Sequence, residues 1–328
     1  VKKSKPITSV RLEASTACQL KCPSCPTASG KIHKAIGTGF LKLKDFEKFL
    51  KDEPQLKSIE LSNWGEIFLN PDLLSIMEHA CLRGVTLNAS NGVNLNSVPL
   101  ATLEGLVKFK FGTITCSIDG ATEETYRLYR KGGSLSTVLD NIARINEFKM
   151  QNSSSDPDLI WQYIAFKHNE HEILEAKKIA KSLGMKFVLK PAWDTENAPT
   201  AESPYADLIR SESADGTVNR AEFLEKNGES YLQSEFCRQL LSEPQINYDG
   251  RVLGCCVNQW GDFGNAFDSG LSSVIKSEKY SYAKRMLEGL TPERADIPCT
   301  QCHNYKQMKE TGKFFPVRRI QAVLDLIP

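Results

Sequence analysis

From residue 9 to about 190, six short β-like runs alternate with amphipathic helical stretches, and that order leaves few architectures open to the chain. The candidate strands are 9–13, 58–62, 85–89, 113–117, 159–166 and 186–189. Between them lie segments 42–50, 73–83, 100–107, 137–150 and 172–183, each with apolar residues at helical spacing. Asn70-Pro71-Asp72 reads as a helix start with Asn70 as N-cap, and Gly84 and Gly184 read as left-handed helix ends. Repeated β-then-α units build a parallel sheet, curved into a partial barrel or left open. In both forms function gathers at the C-terminal ends of the strands.

Ten cysteines stand out, because a chain of 328 residues buries a core without disulfide staples. No apolar run reaches the ~20 residues of a membrane span, and the start Val1-Lys2-Lys3-Ser4-Lys5 lacks a signal peptide's apolar core. The expectation is a cytoplasmic protein whose clustered cysteines bind metal or carry redox chemistry. Lys and Arg total 41 against 40 Asp and Glu, so no global field favours a nucleic acid, and neither a nucleic-acid nor a membrane partner is expected. Residues 191–235 break the β/α rhythm with ten acidic and three basic residues. They read as a solvated linker with a short helix near 220–226, or else as an acidic wall facing a cationic substrate.

Cys18-Gln-Leu-Lys-Cys22-Pro-Ser-Cys25 follows the first strand directly. Pro23 and Pro26 keep this loop from continuing as a helix, so three soft thiolates can converge on one centre. A closed zinc site needs a fourth ligand, and His33 is the only local candidate. An iron–sulfur cluster with three thiolates keeps one iron open.

Cys-x3-Cys-x2-Cys at this place in a βα array resembles the radical S-adenosylmethionine (SAM) superfamily. Asn63-Trp64-Gly65-Glu66 after the second strand is similar to that family's Gly-Gly-Glu, with Trp64 where the first Gly is usual. Ser90-Asn91-Gly92 follows the third strand, Ser117-Ile-Asp119-Gly120 ends the fourth, and Tyr126 to Gly133 comes after it, as in the branch with peptide- and sugar-modifying members. The resemblance implies an α/β fold, a (βα)6 partial TIM barrel over residues 1–190. It further implies that Gly65, Glu66, Ser90, Asn91, Ser117, Asp119, Arg130 and Leu189 contact SAM, with Asn169 and Glu170 framing the nucleoside. Cys18, Cys22 and Cys25 would hold a SAM-binding [4Fe–4S] cluster. A flavodoxin- or ferredoxin-type donor would inject the electron that cleaves SAM, and the resulting 5′-deoxyadenosyl radical would abstract hydrogen from an unactivated carbon.

The last third carries a second set. Segments 245–248 and 251–256 flank Asp249-Gly250, a strong hairpin signal. Cys237, Cys255, Cys299 and Cys302 make a complete four-thiolate set, which by itself suits zinc or a cluster. Their spacing resembles the short auxiliary-cluster module called twitch. Its longer relative, SPASM, carries three further cysteines after the position of Cys302. No cysteine follows Cys302 here, so the resemblance implies one auxiliary [4Fe–4S] cluster in a domain over 236–328.

Three cysteines remain. Cys81 at helical core spacing and Cys116 on a strand read as small buried hydrophobes. Cys256 neighbours Cys255 on the return strand, so strand alternation would turn its thiol away from the auxiliary cluster. There it could serve as a hydrogen-atom donor to a substrate radical. His168 and His171 fall in a loop after the fifth strand and read as solvated.

The expected activity is that of a radical SAM oxidoreductase or epimerase. With the first strand at residue 9, a small polar substrate of sugar or aminocyclitol type is expected, and modification of a ribosomal peptide is the alternative. A non-enzymatic zinc-stapled binding protein is the alternative from another class.

Overall fold

A computed structural model describes residues 6–324, so the basic start at residues 1–5 lies outside it. Seven strands form one sheet in the order β6-β5-β4-β3-β2-β1-β7. They are β1 Ser9–Leu12, β2 Ser58–Glu60, β3 Thr86–Val93, β4 Thr113–Ser117, β5 Asp158–Ala165, β6 Lys186–Pro191 and β7 Gln245–Ile246. Every pairing is parallel. The first six strands keep chain order, as successive right-handed βα units require. This is the (βα)6 partial barrel that the alternation and the resemblance implied.

Side-chain alternation sorts the sheet into two faces. Val10, Leu12, Ile59, Cys116, Trp161 and Tyr163 are buried in one continuous core. Their neighbours on the opposite face are polar: Arg11 pairs with Glu60, Ser117 with Gln162, and Lys190 lies two residues beyond the partner of Gln162. The helices cover the apolar face, and the polar face is left as the concave interior of the partial barrel.

The helices of the barrel are α1 Lys31–Ile36, α2 Leu43–Asp52, α3 Leu73–Leu82, α4 Leu100–Lys108, α5 Glu123–Tyr129, α6 Leu135–Gln151 and α7 Ile173–Ser182. Gly84 and Gly184 close α3 and α7 at φ 65° and 66°. The expected N-cap of α3 is displaced. Asn70 accepts the Asp72 N–H at 2.8 Å and donates to the Ala14 and Leu41 carbonyls at 2.9 Å each. Asp72 takes the cap position, yet its carboxylate accepts the Leu43 N–H at 3.0 Å and so caps α2. Cys81, expected to be buried, is half-exposed on α3.

The segment expected as a solvated linker is folded. It carries α8 Ala206–Glu212 and α9 Arg220–Asn227, and Ser213 bridges back to Leu189 on β6. Ile209, Thr217 and Val218 are buried. The C-terminal region continues with α10 Gln233–Ser242, α11 Ala266–Ser269, α12 Leu271–Lys276, α13 Glu278–Leu287, α14 His303–Thr311 and α15 Val317–Leu324. Its first strand, β7, joins the barrel sheet beside β1, with Arg11 opposite Gln245. The hairpin at Asp249-Gly250 forms: Asn247 N–H donates to the Arg251 carbonyl at 2.8 Å, and Gly250 adopts φ 88°. The return limb is short. It ends near Val252, and Gly254 at φ 85° starts a turn that carries Cys255 and Cys256. Strand alternation therefore does not set the direction of the Cys256 thiol. No helix among the described residues is long and apolar enough to cross a membrane.

Candidate active site

The loop carrying Cys18, Cys22 and Cys25 leaves the C-terminal end of β1 and is strapped from two sides. Glu66 N–H donates to the Ala17 carbonyl at 2.7 Å, and Lys21 N–H donates to the Lys131 carbonyl at 2.9 Å. Cys25 N–H closes a turn on the Cys22 carbonyl at 3.1 Å. His33 is no fourth ligand, because its Nε2 bonds the Thr16 carbonyl at 3.0 Å. Cys22 is buried, while Cys18 and Cys25 are half-exposed. Burial pushes the Cys18 thiol up to about 11, and the neighbouring Glu66, Cys22 and Cys25 charges add to it. Two donors face the sulfurs: Arg130 Nη1 lies 3.9 Å from Cys22 Sγ, and Asn94 Nδ2 lies 3.8 Å from Cys18 Sγ. Hydrogen bonds to thiolate sulfur are the surroundings an iron–sulfur cluster uses, so this donor set fits one.

Behind the loop the expected SAM residues fall into two groups. Ser90 and Asn91 are exposed, pushed outward by an irregularity of register in β3 between Ala89 and Val93. Their N–H groups are held from β2: Ser90 donates to Glu60 Oε2 at 2.8 Å and Asn91 to Ser62 Oγ at 3.0 Å. Ser117 sits under them on the polar face, where a Cβ at Gly92 would clash with its Oγ at 2.3 Å. Gly65 packs so tightly that a Cβ would meet the Ser15 carbonyl at 2.2 Å.

The other group is occupied with holding the site. Glu66 is buried, accepting N–H bonds from Phe68 at 3.2 Å and Asn94 at 2.6 Å. Its carboxyl rises to about 7 through burial, against the pull of those two N–H groups. Asp119 is fully buried and accepts from both Nε and Nη2 of Arg130 at 2.6 Å. Burial works against the Arg130 charge, but Asp119 and then Cys22 raise its pKa overall. Asn169, expected near the nucleoside, is a staple that donates to the Asp119 and Ile164 carbonyls. Glu170 is buried beside it with Oε2 unpartnered. Leu189 lies in the apolar core opposite Tyr163, so its side chain faces the helices and not the concave face. His168, read as solvated, stacks on Phe166 at 5.3 Å with a buried, unpartnered Nε2.

Two residues of this site were missed. Glu13, the next residue of the β1 polar row, is buried and accepts the Trp64 N–H at 3.1 Å and the Gly65 N–H at 3.3 Å. Burial carries its carboxyl up to about 8, against those bonds. Asn94 links Glu66, Gln19 and Cys18. The Ser9-Arg11-Glu13 alternation carried a signal for Glu13, whereas nothing local singled out Asn94.

The second cysteine set comes from three separate segments. Cys237 lies on α10, Cys255 in the turn after the hairpin, and Cys299 and Cys302 in and after a 3₁₀ turn at Pro298–Gln301. All four line one cavity, whose apolar wall includes Phe236, Leu240 and Leu287. Burial, then the neighbouring Cys302, pushes Cys299 up to about 12, and burial raises Cys237 and Cys255 as well. Four thiols around one cavity, Cys237 and Cys255 buried and Cys299 and Cys302 half-buried, fit a cluster that takes them as thiolates. Among the described residues no three His, Cys, Asp or Glu side chains close on a point as one metal ion requires.

Cys256 is buried but does not line that cavity. Its N–H donates to Gln239 Oε1 at 2.7 Å, and its carbonyl accepts from Asn63 Nδ2 at 3.1 Å, at the C-terminal end of β2. Three acids of 191–235 are engaged locally. Glu222 is held by Arg210 and the Val218 N–H, Glu212 by Lys177, and Asp194 by Ser24 and Asn197.

The model of an iron–sulfur cluster-binding domain, SPASM, matches residues 237–303. No curated protein matches in sequence. Solved structures match in fold. SuiB of Streptococcus suis bound to S-adenosylmethionine superposes with TM-score 0.63 at 16% identity, covering 92% of this chain and 71% of that one. The same protein bound to its precursor peptide SuiA gives 0.62 at 16% identity, over 92% and 70%. The structure of anSMEcpe with bound AdoMet gives 0.56 at 14% identity, over 96% and 99%.

Proposed function

We propose that this chain, a member of the radical SAM superfamily with a C-terminal SPASM iron–sulfur domain, abstracts hydrogen from a peptide substrate. That it is an enzyme of this general class is part of the same reading. The peptide is our reading. Its support is the likeness to SuiB, a protein whose structure is known with a precursor peptide bound. A sugar or aminocyclitol substrate is the second reading, favoured by the polar concave face of the sheet.

When bound, SAM and the cluster on Cys18, Cys22 and Cys25 would supply one-electron cleavage of SAM to a carbon radical able to take hydrogen from unactivated carbon. This chain's own residues set the stage for it. The straps at Ala17 and Lys21 hold the cluster loop, and Arg130, fixed by Asp119, keeps a positive charge beside Cys22. Glu66 fixes the turn after β2 and Glu13 holds its N–H groups, and Ser90 and Asn91 would contact SAM when it is bound. Cys237, Cys255, Cys299 and Cys302 would hold one auxiliary [4Fe–4S] cluster. Cys256 is the candidate hydrogen-atom donor, and a flavodoxin- or ferredoxin-type protein the candidate electron donor.

The observation that carries the reading is the three-cysteine loop strapped at the C-terminal end of β1. Its test is anaerobic reconstitution with iron, sulfide, SAM and dithionite, scored for 5′-deoxyadenosine. Formation that is lost on replacing the three cysteines is expected. A reconstituted protein that leaves SAM intact would contradict the reading.

A further inference from the structure

The charged groups around the concave face are nearly all engaged. Arg11 is held by Gln245, the Ser62 carbonyl and Glu243, and Arg130 by Asp119. Glu13, Glu60 and Glu66 each accept N–H bonds. Two cations are exceptions. Lys190 lies at the C-terminal end of β6 on the polar face, in register with Ile164. Arg220 opens α9, with its guanidinium 3.5 Å from the ring centroid of Trp193 and 4.5 Å from that of Tyr231. Its Nε is buried and has no hydrogen-bond partner. Among the described residues neither cation has a carboxylate within 4.0 Å. The acid that acts on Arg220 is Asp215, which is bound to the N–H and hydroxyl of Thr217.

Their place is as informative as their charge. Trp193 is 58% exposed and stacks on Phe236 at 6.2 Å, and Phe236 lines the four-cysteine cavity next to Cys237. The residue after Trp193, Asp194, accepts from Ser24 Oγ at 2.7 Å, within the Cys22–Cys25 turn. Lys190 and Arg220 thus stand between the two cysteine sites. Burial lowers the pKa of both, Arg220 to about 10, and the Arg220 charge further disfavours that of Lys190. Two desolvated cations and an orphaned donor cost free energy until an acceptor arrives.

We propose that Lys190 and Arg220, with Trp193 as a platform, form a subsite for a carboxylate of the substrate. An acidic side chain of a peptide would supply it. A guanidinium stacked between two rings presents its planar edge, whose paired N–H groups match the two oxygens of a carboxylate, while Lys190 adds a point charge. The segment carrying Arg220 thus recognises an anion, the reverse of what its acidic composition suggested. The inference rests on the radical SAM reading above.

The test titrates reconstituted protein with an acetylated, amidated Gly-Glu-Gly-Glu-Gly peptide, its glutamine counterpart and inorganic phosphate. Tryptophan fluorescence is the readout, with Trp193→Phe to identify the reporting ring. The acidic peptide should bind at least about ten-fold more tightly than the neutral one, the worth of one charge-assisted hydrogen bond. Arg220→Gln and Lys190→Gln should each remove that preference while thermal melting and SAM binding stay as in wild type. Arg220→Lys should restore part of it. Equal binding of the two peptides, binding of neither, or an unchanged preference in Arg220→Gln would overturn the subsite. Phosphate binding as tightly as the acidic peptide would overturn the substrate carboxylate in favour of a free-anion site. Scoring 5′-deoxyadenosine in the same samples separates the two claims. SAM cleavage without acidic preference sinks the subsite alone, and preference without SAM cleavage sinks the reading beneath it.

Discussion

Replacing Asp119 with Asn probes the link between the barrel and the cluster loop. Asp119 is fully buried and Arg130 has 13% of its side chain exposed, so the two form a buried ion pair with two contacts of 2.6 Å. Asp119 Oδ1 also accepts the Ile164 N–H at 2.8 Å, a bond that Asn can keep. The substitution therefore removes charge more than shape and strands a guanidinium beside Cys22. Breaking a buried pair from one side costs about 3–5 kcal/mol. At roughly 2 °C per kcal/mol for a chain of this size, cluster-free protein should melt roughly 6–10 °C lower. The Lys131 carbonyl that straps Lys21 follows Arg130 directly, so the reconstituted variant should also lose its charge-transfer absorption near ~400 nm faster than wild type. Replacing both partners, Asp119→Asn with Arg130→Met, should recover most of the stability, because no unpaired charge remains and the Ile164 N–H keeps its acceptor. An Asp119→Asn protein that melts with wild type would refute the pair as a structural element.

Glu66→Gln keeps an acceptor for only one of the Asn94 and Phe68 N–H groups, which bind different oxygens, so its melting temperature should fall; SAM binding weaker by about 1.5–3 kcal/mol in the folded variant would mark a charge contact, and unchanged affinity would leave Glu66 a staple only. Glu66→Ala unties the β3 end as well and should lose stability in addition. Glu13 has a folded pKa near 8 against an ordinary 4.5. The folded protein thus retains a proton that the unfolded chain releases, and the contribution of Glu13 is full below pH 4.5 and lost as pH rises to about 8. Urea melts of cluster-free protein should show that decline, and Glu13→Gln should flatten it; an unchanged slope would contradict the assignment. Cys256→Ala should still cleave SAM but lose solvent deuterium from the product if the thiol is a hydrogen donor. Equal amounts of an oxidised product from both proteins would remove Cys256 from the chemistry.

The strands of the barrel were readable because their period-two alternation has a simple cause: one row packs under helices and the other faces the interior. Val10 and Leu12 against Ser9 and Arg11 show it within a single strand. β7 was readable as the first limb of the hairpin at 245–248, but its place beside β1 was not, since its partner Arg11 lies far away in sequence. Cys256 stays out of the four-cysteine cavity, as expected, but strand alternation is not the reason. Gly254 takes a positive φ and ends the return limb, so the alternation extended past the strand. That Glu66 is also a staple was hidden, because one N–H that binds it belongs to Asn94, brought over by the irregular end of β3. Residues 191–235 misled through composition. Asp194, Asp207, Glu212, Asp215 and Glu222 pair locally, and the side chain with most bearing on a ligand is the stacked Arg220.

Iron content tests the account most directly, because it counts what the two cysteine sets hold. With one [4Fe–4S] cluster on Cys18, Cys22 and Cys25 and another on Cys237, Cys255, Cys299 and Cys302, reconstituted protein should contain about eight iron atoms. Replacing the first three cysteines together should leave about four, with no zinc in either protein. About four iron atoms in the intact protein, with zinc filling the second set, would contradict the auxiliary cluster. A colourless protein carrying zinc alone would contradict the radical SAM assignment itself.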